Sequence, residues 1–483
     1  MPKVRTGCAT CKIRRVKCDE QRPKCLRCSS TGRSCPGYPQ AVNCQPKIKV
    51  YNIPFKVPGS RTDRELLHYY CSEAAESFSR FSENTLWRHL IMQRSQDQPV
   101  IRNSLVALSC LYRDYYLAES PQLKVSVKHI QLITRSHSQL RAYLAQDASA
   151  EVALICSLIF YTFECLIGNV RQALWHLDQG LIILRRLQTD CPCLTEGQES
   201  YVQLAAIFSQ LDIHASIFSP ERIPILRLAL PEQVLGIIPT VPDEPSGLPG
   251  LEKSLVVLQN WTLWHLMEYV EYKNLPLTQV PPVVLQERLN LESQLQKLEE
   301  KIEKMMTNER SESLSSSQRQ QLILYRSQAL IFHAVLLENI VCTLDGAETS
   351  LNAFCRFDLA LTQISTLLSS DGQDSFFEKN TTSKRGFTLS TNIIAMLYFV
   401  CLKTNDRRIL RMALSLMQGP LFTARDGLWD ARTAVTIVKA LLSEDDIQSE
   451  EPEMDFRLEY VGSGIVDTSG GATDVAENGR LPQ

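Results

Sequence analysis

From about residue 61 to residue 442, apolar residues return every three or four positions, the period of a helix with one buried face. Thr62 and Glu65 stand in capping-box spacing ahead of Leu66, Leu67, Tyr70, Ala74 and Phe78, which predicts a helix opening near residue 61. Val100, Ile101, Leu105 and Leu108 after Pro99 predict another. The runs Val152 to Ile167 and Val170 to Leu187 are separated only by Gly168 and Asn169, the punctuation of an αα-hairpin. Val284, Leu291, Leu295, Leu298, Ile302 and Met305 also keep helical spacing, but Arg288 interrupts them before sustained heptads develop. That stripe is expected to pack on its own domain rather than form a coiled coil. No alternating run announces strands. The run Val152 to Ile167 contains Ser157, Thr162 and Glu164 and is shorter than the roughly 20 residues that span a bilayer, so a buried helix and no membrane partner are expected.

The pattern lapses at both ends of this body. Pro36, Pro39, Pro46, Pro54 and Pro58 prevent a continuous helix, and residues 41–60 read as a Pro-rich linker. Residues 444–483 are acidic and then rich in Gly, Ser and Thr, the composition of a disordered tail. Met454, Phe456, Leu458 and Tyr460 among its carboxylates suit an activation segment or a solubilising tail equally well. The stretches 311–321 and 369–386 read as exposed loops. The expected organisation is a head at 1–40, the linker, an all-helical body at 61–443 and the tail. The fold class is mostly α.

Composition changes this picture only at the head. With 44% hydrophobic and 22% charged residues in 483, the chain is ordinary globular material. Its net charge of −2 hides a division, because residues 1–50 carry twelve Lys plus Arg against Asp19 and Glu20, a balance of +10, which leaves −12 for the remainder. A basic head on an acidic body suits a polyanionic partner such as DNA. Seven of the sixteen cysteines fall within the first 44 residues. No secretory segment follows MPKVRTGC, so a reducing compartment is expected, where clustered cysteines argue for metal rather than disulfides.

Cys8, Cys11 and Cys18 follow a C-x2-C-x6-C spacing that returns, seventeen residues later, as Cys25, Cys28 and Cys35. A structural zinc takes four tetrahedral ligands, and each half offers three. If Cys8 and Cys25 bridge, six sulfurs satisfy two Zn2+ with none missing and none spare. A single site of Cys8, Cys11, Cys25 and Cys28 is the competing reading, though it leaves Cys18 and Cys35 unexplained; an iron–sulfur cluster is another. The segment is too poor in large apolar residues to fold without metal.

Together these features resemble the fungal zinc binuclear cluster transcription factors: six cysteines, the run KIRRVK between Cys11 and Cys18, Asp19 after the third cysteine, and Arg22-Pro23 before the fourth. The body segments LHYYCSEAAESFSRF, QPVIRNSLVALSCLY and EVALICSLIFYTFECLIGNVRQALWHLDQGL are similar to the family's helical regulatory domain. The resemblance implies bridging roles for Cys8 and Cys25, a loop-shaping role for Pro23, CGG-type triplets read through positions 14 and 15, nuclear localisation, and regulation of RNA polymerase II genes. It further implies co-regulator partners and control of a metabolic or secondary-metabolite gene set, with activation favoured over repression. The family often has Lys where Arg15 stands. No long coiled coil directly follows the linker, so a homodimer stays an open arrangement.

A short helix starting near Cys11 is expected to hold Lys12, Arg14, Arg15 and Lys17 close to double-stranded DNA. Arg pairs bidentately with guanine O6 and N7, while Lys more often meets phosphate. Lys24, Arg27 and Arg33 are expected on phosphates, fixing orientation without reading sequence. The competing reading is a zinc-containing adaptor whose head binds RNA or protein.

Other candidates carry less. Cys44 reads as a free linker thiol, and Cys191 and Cys193 as loop thiols. Cys71, Cys110, Cys156, Cys165, Cys342, Cys355 and Cys401 read as packed helical thiols. His176 is assigned no role. No nucleophile elbow, phosphate-binding Gly-rich loop or H-E-x-x-H occurs, so the chain is not expected to be an enzyme.

Overall fold

In the computed structural model of the chain, the described residues are 7–38 and 58–441, apart from 80–84, 118–122, 147–148, 191–197, 220–221, 230–237, 244–246, 274, 276, 308–313, 340–345, 370–385, 390 and 405. Most of the expected linker, the expected tail, all but the two end residues of the loop expected at 369–386, Cys44, Cys191, Cys193 and Cys342 lie outside them. The chain divides between Pro58 and Gly59 into two compact units. The first holds two short helices, α1 (Ala9–Ile13) and α2 (Leu26–Ser29).

Helices dominate the second unit. The first begins at Arg61, as expected, but Ser60 rather than Thr62 supplies the cap: its Oγ accepts the Asp63 N–H at 3.1 Å, and the Asp63 carboxylate accepts the Ser60 N–H at 2.9 Å. Asp63 thus takes the role expected of Glu65. The hairpin is present as Ala150–Ile167 and Val170–Asp190, closed by Gly168 at φ 88°, where a side chain is disfavoured. Gly180 lets the second of these helices approach its neighbour, since a Cβ there would overlap the Phe208 ring. Ala150–Ile167 is long and apolar enough to span a membrane, yet most of it is buried inside the body. Leu291, Leu295, Leu298 and Ile302 of Pro282–Thr307 are fully buried, and that helix packs on Ser316–Asn339 and Gly247–Glu268 of its own domain. Ser316 onward is therefore helix where a loop was expected.

Among the described residues, three two-residue strands escape the helical pattern. Phe387–Thr388 pairs in parallel with Arg425–Asp426, which pairs antiparallel with Trp429–Asp430. Buried Asp426 accepts the hydroxyls of Thr388 at 3.0 Å and Thr391 at 2.8 Å, which offsets the cost of its desolvation. Phe387 closes an aromatic cluster, its ring 5.8 Å from Phe78, which in turn lies 5.1 Å from Trp87 and 4.9 Å from Tyr112. Cys110, Cys156, Cys165 and Cys401 are buried as expected, whereas Cys71 and Cys355 are exposed because they sit on the solvent faces of their helices.

Candidate metal centre and nucleic-acid interface

The head is a backbone unit used twice. Cys8 caps α1, its sulfur accepting the Cys11 N–H at 3.4 Å. That helix ends when the N–H of Arg15 returns to the Lys12 carbonyl at 3.1 Å and that of Val16 to the Cys11 carbonyl at 3.1 Å. Seventeen residues later Gly32 bonds Ser29 at 3.2 Å and Arg33 bonds Cys28 at 2.9 Å, the same Schellman ending. Arg15 at φ 56° matches Gly32 at 64°, and Glu20 at 59° matches Gly37 at 79°. Four contacts join residues seventeen apart: the sulfurs of Cys8 and Cys25 at 3.7 Å, those of Cys11 and Cys28 at 3.8 Å, Arg14 Nη1 donating to Thr31 Oγ1 at 3.4 Å, and the Tyr38 hydroxyl donating to the Gln21 carbonyl at 2.8 Å. They mark a local twofold axis between the halves.

All six cysteines converge as free thiols, five of them buried and Cys18 half-buried. The sulfurs of Cys8, Cys11, Cys18 and Cys25 lie within 4.8 Å of one another, and so do those of Cys8, Cys25, Cys28 and Cys35. Cys8 and Cys25 belong to both quartets. Cys8 also lies 3.7 Å from Cys28, Cys11 lies 3.7 Å from Cys25, and Cys35 lies 3.9 Å from Cys25. A tetrahedron with zinc–sulfur bonds of about 2.3 Å has an edge of about 3.8 Å, so the donor set fits zinc in spacing as well as chemistry. The distances are far too long for disulfides.

Electrostatics divide the thiols into outer and inner groups. The Cys8 N–H holds the Cys18 thiol down at about 6, and the Cys25 N–H holds Cys35 at about 7. The Glu20 and Gly37 N–H groups add to this in each half. Burial pushes Cys11 up to about 12 and raises Cys25 as well. Thiolates are the metal-binding form, so the peptide backbone already favours anions at Cys18 and Cys35, while burial leaves Cys11 and Cys25 in need of a cation to ionise.

Three supporting residues were not singled out for these roles by sequence. A Cβ on Gly7 would stand 2.8 Å from the Cys18 Cβ, so glycine is needed where the chain enters the site. The Asp19 carboxylate accepts the N–H groups of Leu26 at 2.8 Å and Arg27 at 3.0 Å, capping α2 from outside it. The Arg27 N–H bond is the main reason its carboxyl lies below the usual range. Tyr38 packs on the cysteine cluster. Glycine, Asx caps and a terminal tyrosine are common, and only the nonlocal geometry gives them these tasks.

The basic run is not one helix. Lys12 lies in the last turn of α1, Arg14 caps it, Arg15 takes the left-handed turn, and Lys17 lies beyond. The helix starts at Ala9 because Cys8 is its cap, two residues before the expected start. Lys12, Arg15, Lys17, Lys24, Arg27 and Arg33 are exposed, and Arg14 is half-buried toward Thr31. Ile13, 83% exposed, offers an apolar contact within the same run.

Comparison with protein families decides the identity. The profile of the fungal Zn(2)-Cys(6) binuclear cluster domain matches residues 6–44, and that of the fungal specific transcription factor domain matches residues 65–369. The chain belongs to the fungal Zn(2)-Cys(6) transcription factors. This transcription factor is 30% identical over 218 residues to the aspercryptin biosynthesis cluster-specific transcription regulator of Emericella nidulans, covering 38% of this chain and 35% of that protein. It is 26% identical over 199 residues to the transcription regulator lscL of Purpureocillium lilacinum, covering 36% and 47%. Over 36 residues it is 61% identical to sterol uptake control protein 2 of Candida albicans, covering 8% and 5%. The chain thus spans less than half the length of these relatives. No solved structure matches it. The family regulates transcription by binding DNA through a zinc-holding head, and it is not enzymatic.

The transcription factor's body also gathers Cys110, Asp114 and His129. His129 Nδ1 accepts the Ser126 N–H at 3.1 Å, so Nε2 carries the ring proton and donates to Asp114 at 2.8 Å. That ring is a helix cap with no lone pair left for a metal.

Proposed function

We propose that Cys8, Cys11, Cys18, Cys25, Cys28 and Cys35 hold two zinc ions, with Cys8 and Cys25 shared, and that the head so formed reads a CGG-type triplet in the major groove. The observation that carries this reading is the pair of sulfur quartets with two members in common, framed by an exposed basic run. Cys18 and Cys35, which a single four-cysteine site would omit, each complete a quartet. Zinc would supply the cohesion that the head's few apolar side chains cannot.

Arg14 and Arg15 grip guanine edges, while Lys12, Lys17, Lys24 and Arg27 meet phosphates and fix the register. Arg15 supports its assignment by its conformation: a left-handed arginine costs roughly 1–2 kcal/mol relative to ordinary backbone. Gly32 occupies the equivalent position without that cost, so the first half retains a guanidinium at some expense in stability. The factor acts in the nucleus on RNA polymerase II genes. By likeness to a biosynthesis cluster-specific regulator, those genes form a metabolic or secondary-metabolite set, and activation through co-regulators is the favoured output. Residues 1–40 form the DNA-binding unit, 41–60 the linker, 61–443 the regulatory body and 444–483 the tail. Homodimerisation would need a surface other than the leucine stripe of Pro282–Thr307, which is already buried.

The test is binding of full-length protein to a CGG-containing duplex, its single-base variants, random duplex and single strands at several salt concentrations. Preference for the CGG duplex supports the reading. Equal affinity for random duplex or single strands would overturn it and favour an adaptor.

A further inference from the structure

Tyr38 follows Cys35, the last of the six clustered cysteines, by three residues and falls outside the C-x2-C-x6-C repeat, yet it returns to the first half of the head. Its hydroxyl donates to the Gln21 carbonyl at 2.8 Å and stands 3.8 Å from the Cys18 sulfur. Its ring packs on the cysteine cluster, with the Arg22 guanidinium 5.8 Å from the ring centroid. Cys18 is the cysteine of the six that burial leaves half-open.

We propose that Tyr38 is a positioning residue that closes the outer side of the first sulfur quartet and slows loss of the metal ion held by Cys18. This inference rests on the two-zinc reading. Groups that hydrogen-bond or shield a metal ligand fix its orientation and restrict solvent and competing ligands, and their loss typically costs ten- to a hundredfold in metal affinity. The latch is one-sided. Tyr38 is the local-twofold counterpart of Gln21, and Cys35, the counterpart of Cys18, is already buried. The last loop of the second half therefore guards the first half.

Zinc release from full-length protein to a chromogenic chelator tests this, in parallel with peptide-resolved alkylation by iodoacetamide. Tyr38→Phe removes only the hydroxyl, and Tyr38→Ala removes the ring as well. In both variants one of two zinc ions is expected to leave about tenfold faster or more, with the other unchanged and Cys18 alkylated first among the six. Two zinc ions leaving at wild-type rates in both variants would overturn the inference and leave the two-zinc reading intact. Equal acceleration of both ions, with alkylation spread over all six cysteines, would also overturn it, because that is general loosening. A wild-type content of one zinc would overturn the two-zinc reading and this inference together.

Discussion

Residues 8–20 and 25–37 of the head follow one backbone course with different side chains. Both halves end a short helix with the same pair of returning N–H groups and place a left-handed residue at the same two points. The second half puts glycine at both points, Gly32 and Gly37, while the first puts Arg15 and Glu20 there. Arg14 corresponds to Thr31, and Lys17 to Ser34. The second half keeps the low-strain version of the motif, and the first carries more of the basic side chains, Lys12, Arg14, Arg15 and Lys17 against Arg27 and Arg33. In the two-zinc reading proposed above, metal coordination fixes the backbone in both, which leaves side chains not needed for coordination free to diverge toward recognition in one.

The comparison breaks most severely at the shared sulfurs. Cys8→Ala and Cys25→Ala should each lose both zinc ions and the fold of the head, whereas Cys18→Ala and Cys35→Ala should each impair one quartet. Metal analysis of the purified protein distinguishes them, and one retained zinc after Cys8→Ala would remove the sharing from the scheme. Next in size is Gly7→Ala, which forces a Cβ to 2.8 Å from the Cys18 Cβ and should cost about 1–3 kcal/mol in chelator titrations. Lys24→Ala, at the corresponding position of the second half, should leave zinc retention unchanged.

Base reading comes after metal retention. Arg14→Ala or Arg15→Ala should remove roughly 1–3 kcal/mol of discrimination at one base pair. Arg15→Gly should do the same while making the zinc-loaded head more stable by about 1 kcal/mol, as Gly32 implies. Thermal unfolding with and without DNA separates these two effects, and a destabilised Arg15→Gly head would contradict the strain argument. The smallest change is expected from Lys17→Ala, which should weaken all duplexes alike and lower the salt slope by about one unit. Uniform weakening by all three substitutions would mean that this run only positions the protein.

Much of this was legible because a metal imposes fixed spacing on a sequence. The offset of seventeen between cysteine triplets announces two equivalent halves, and helical periodicity announces the body. The left-handed turns at Arg15 and Glu20 were hidden, since only glycine signals such a turn and the glycines stand seventeen residues away. Asp19 looks like an ordinary acid after a cysteine; its capping of α2 depends on a chain reversal. At residue 60 the choice between Ser60 and Thr62 as cap is one that local spacing cannot make. Strands two residues long show no alternation to detect, and whether a helical cysteine is buried, as Cys110 is, or exposed, as Cys71 is, depends on what packs against its face.

Phe387 has a consequence in time. Ser77 donates to its carbonyl across 310 residues of sequence, beside the contact between the Phe78 and Phe387 rings. At about 5–20 residues per second, a ribosome that has made Phe78 needs roughly 15–60 s to reach its partner. From the synthesis of Tyr115 until that of Phe387 the nascent chain carries Phe78, Tyr112 and Tyr115 without the ring that packs against all three, apolar surface of the kind that chaperones shield during synthesis. A chain released at residue 369, where the match to the regulatory-domain profile ends, would never meet that partner.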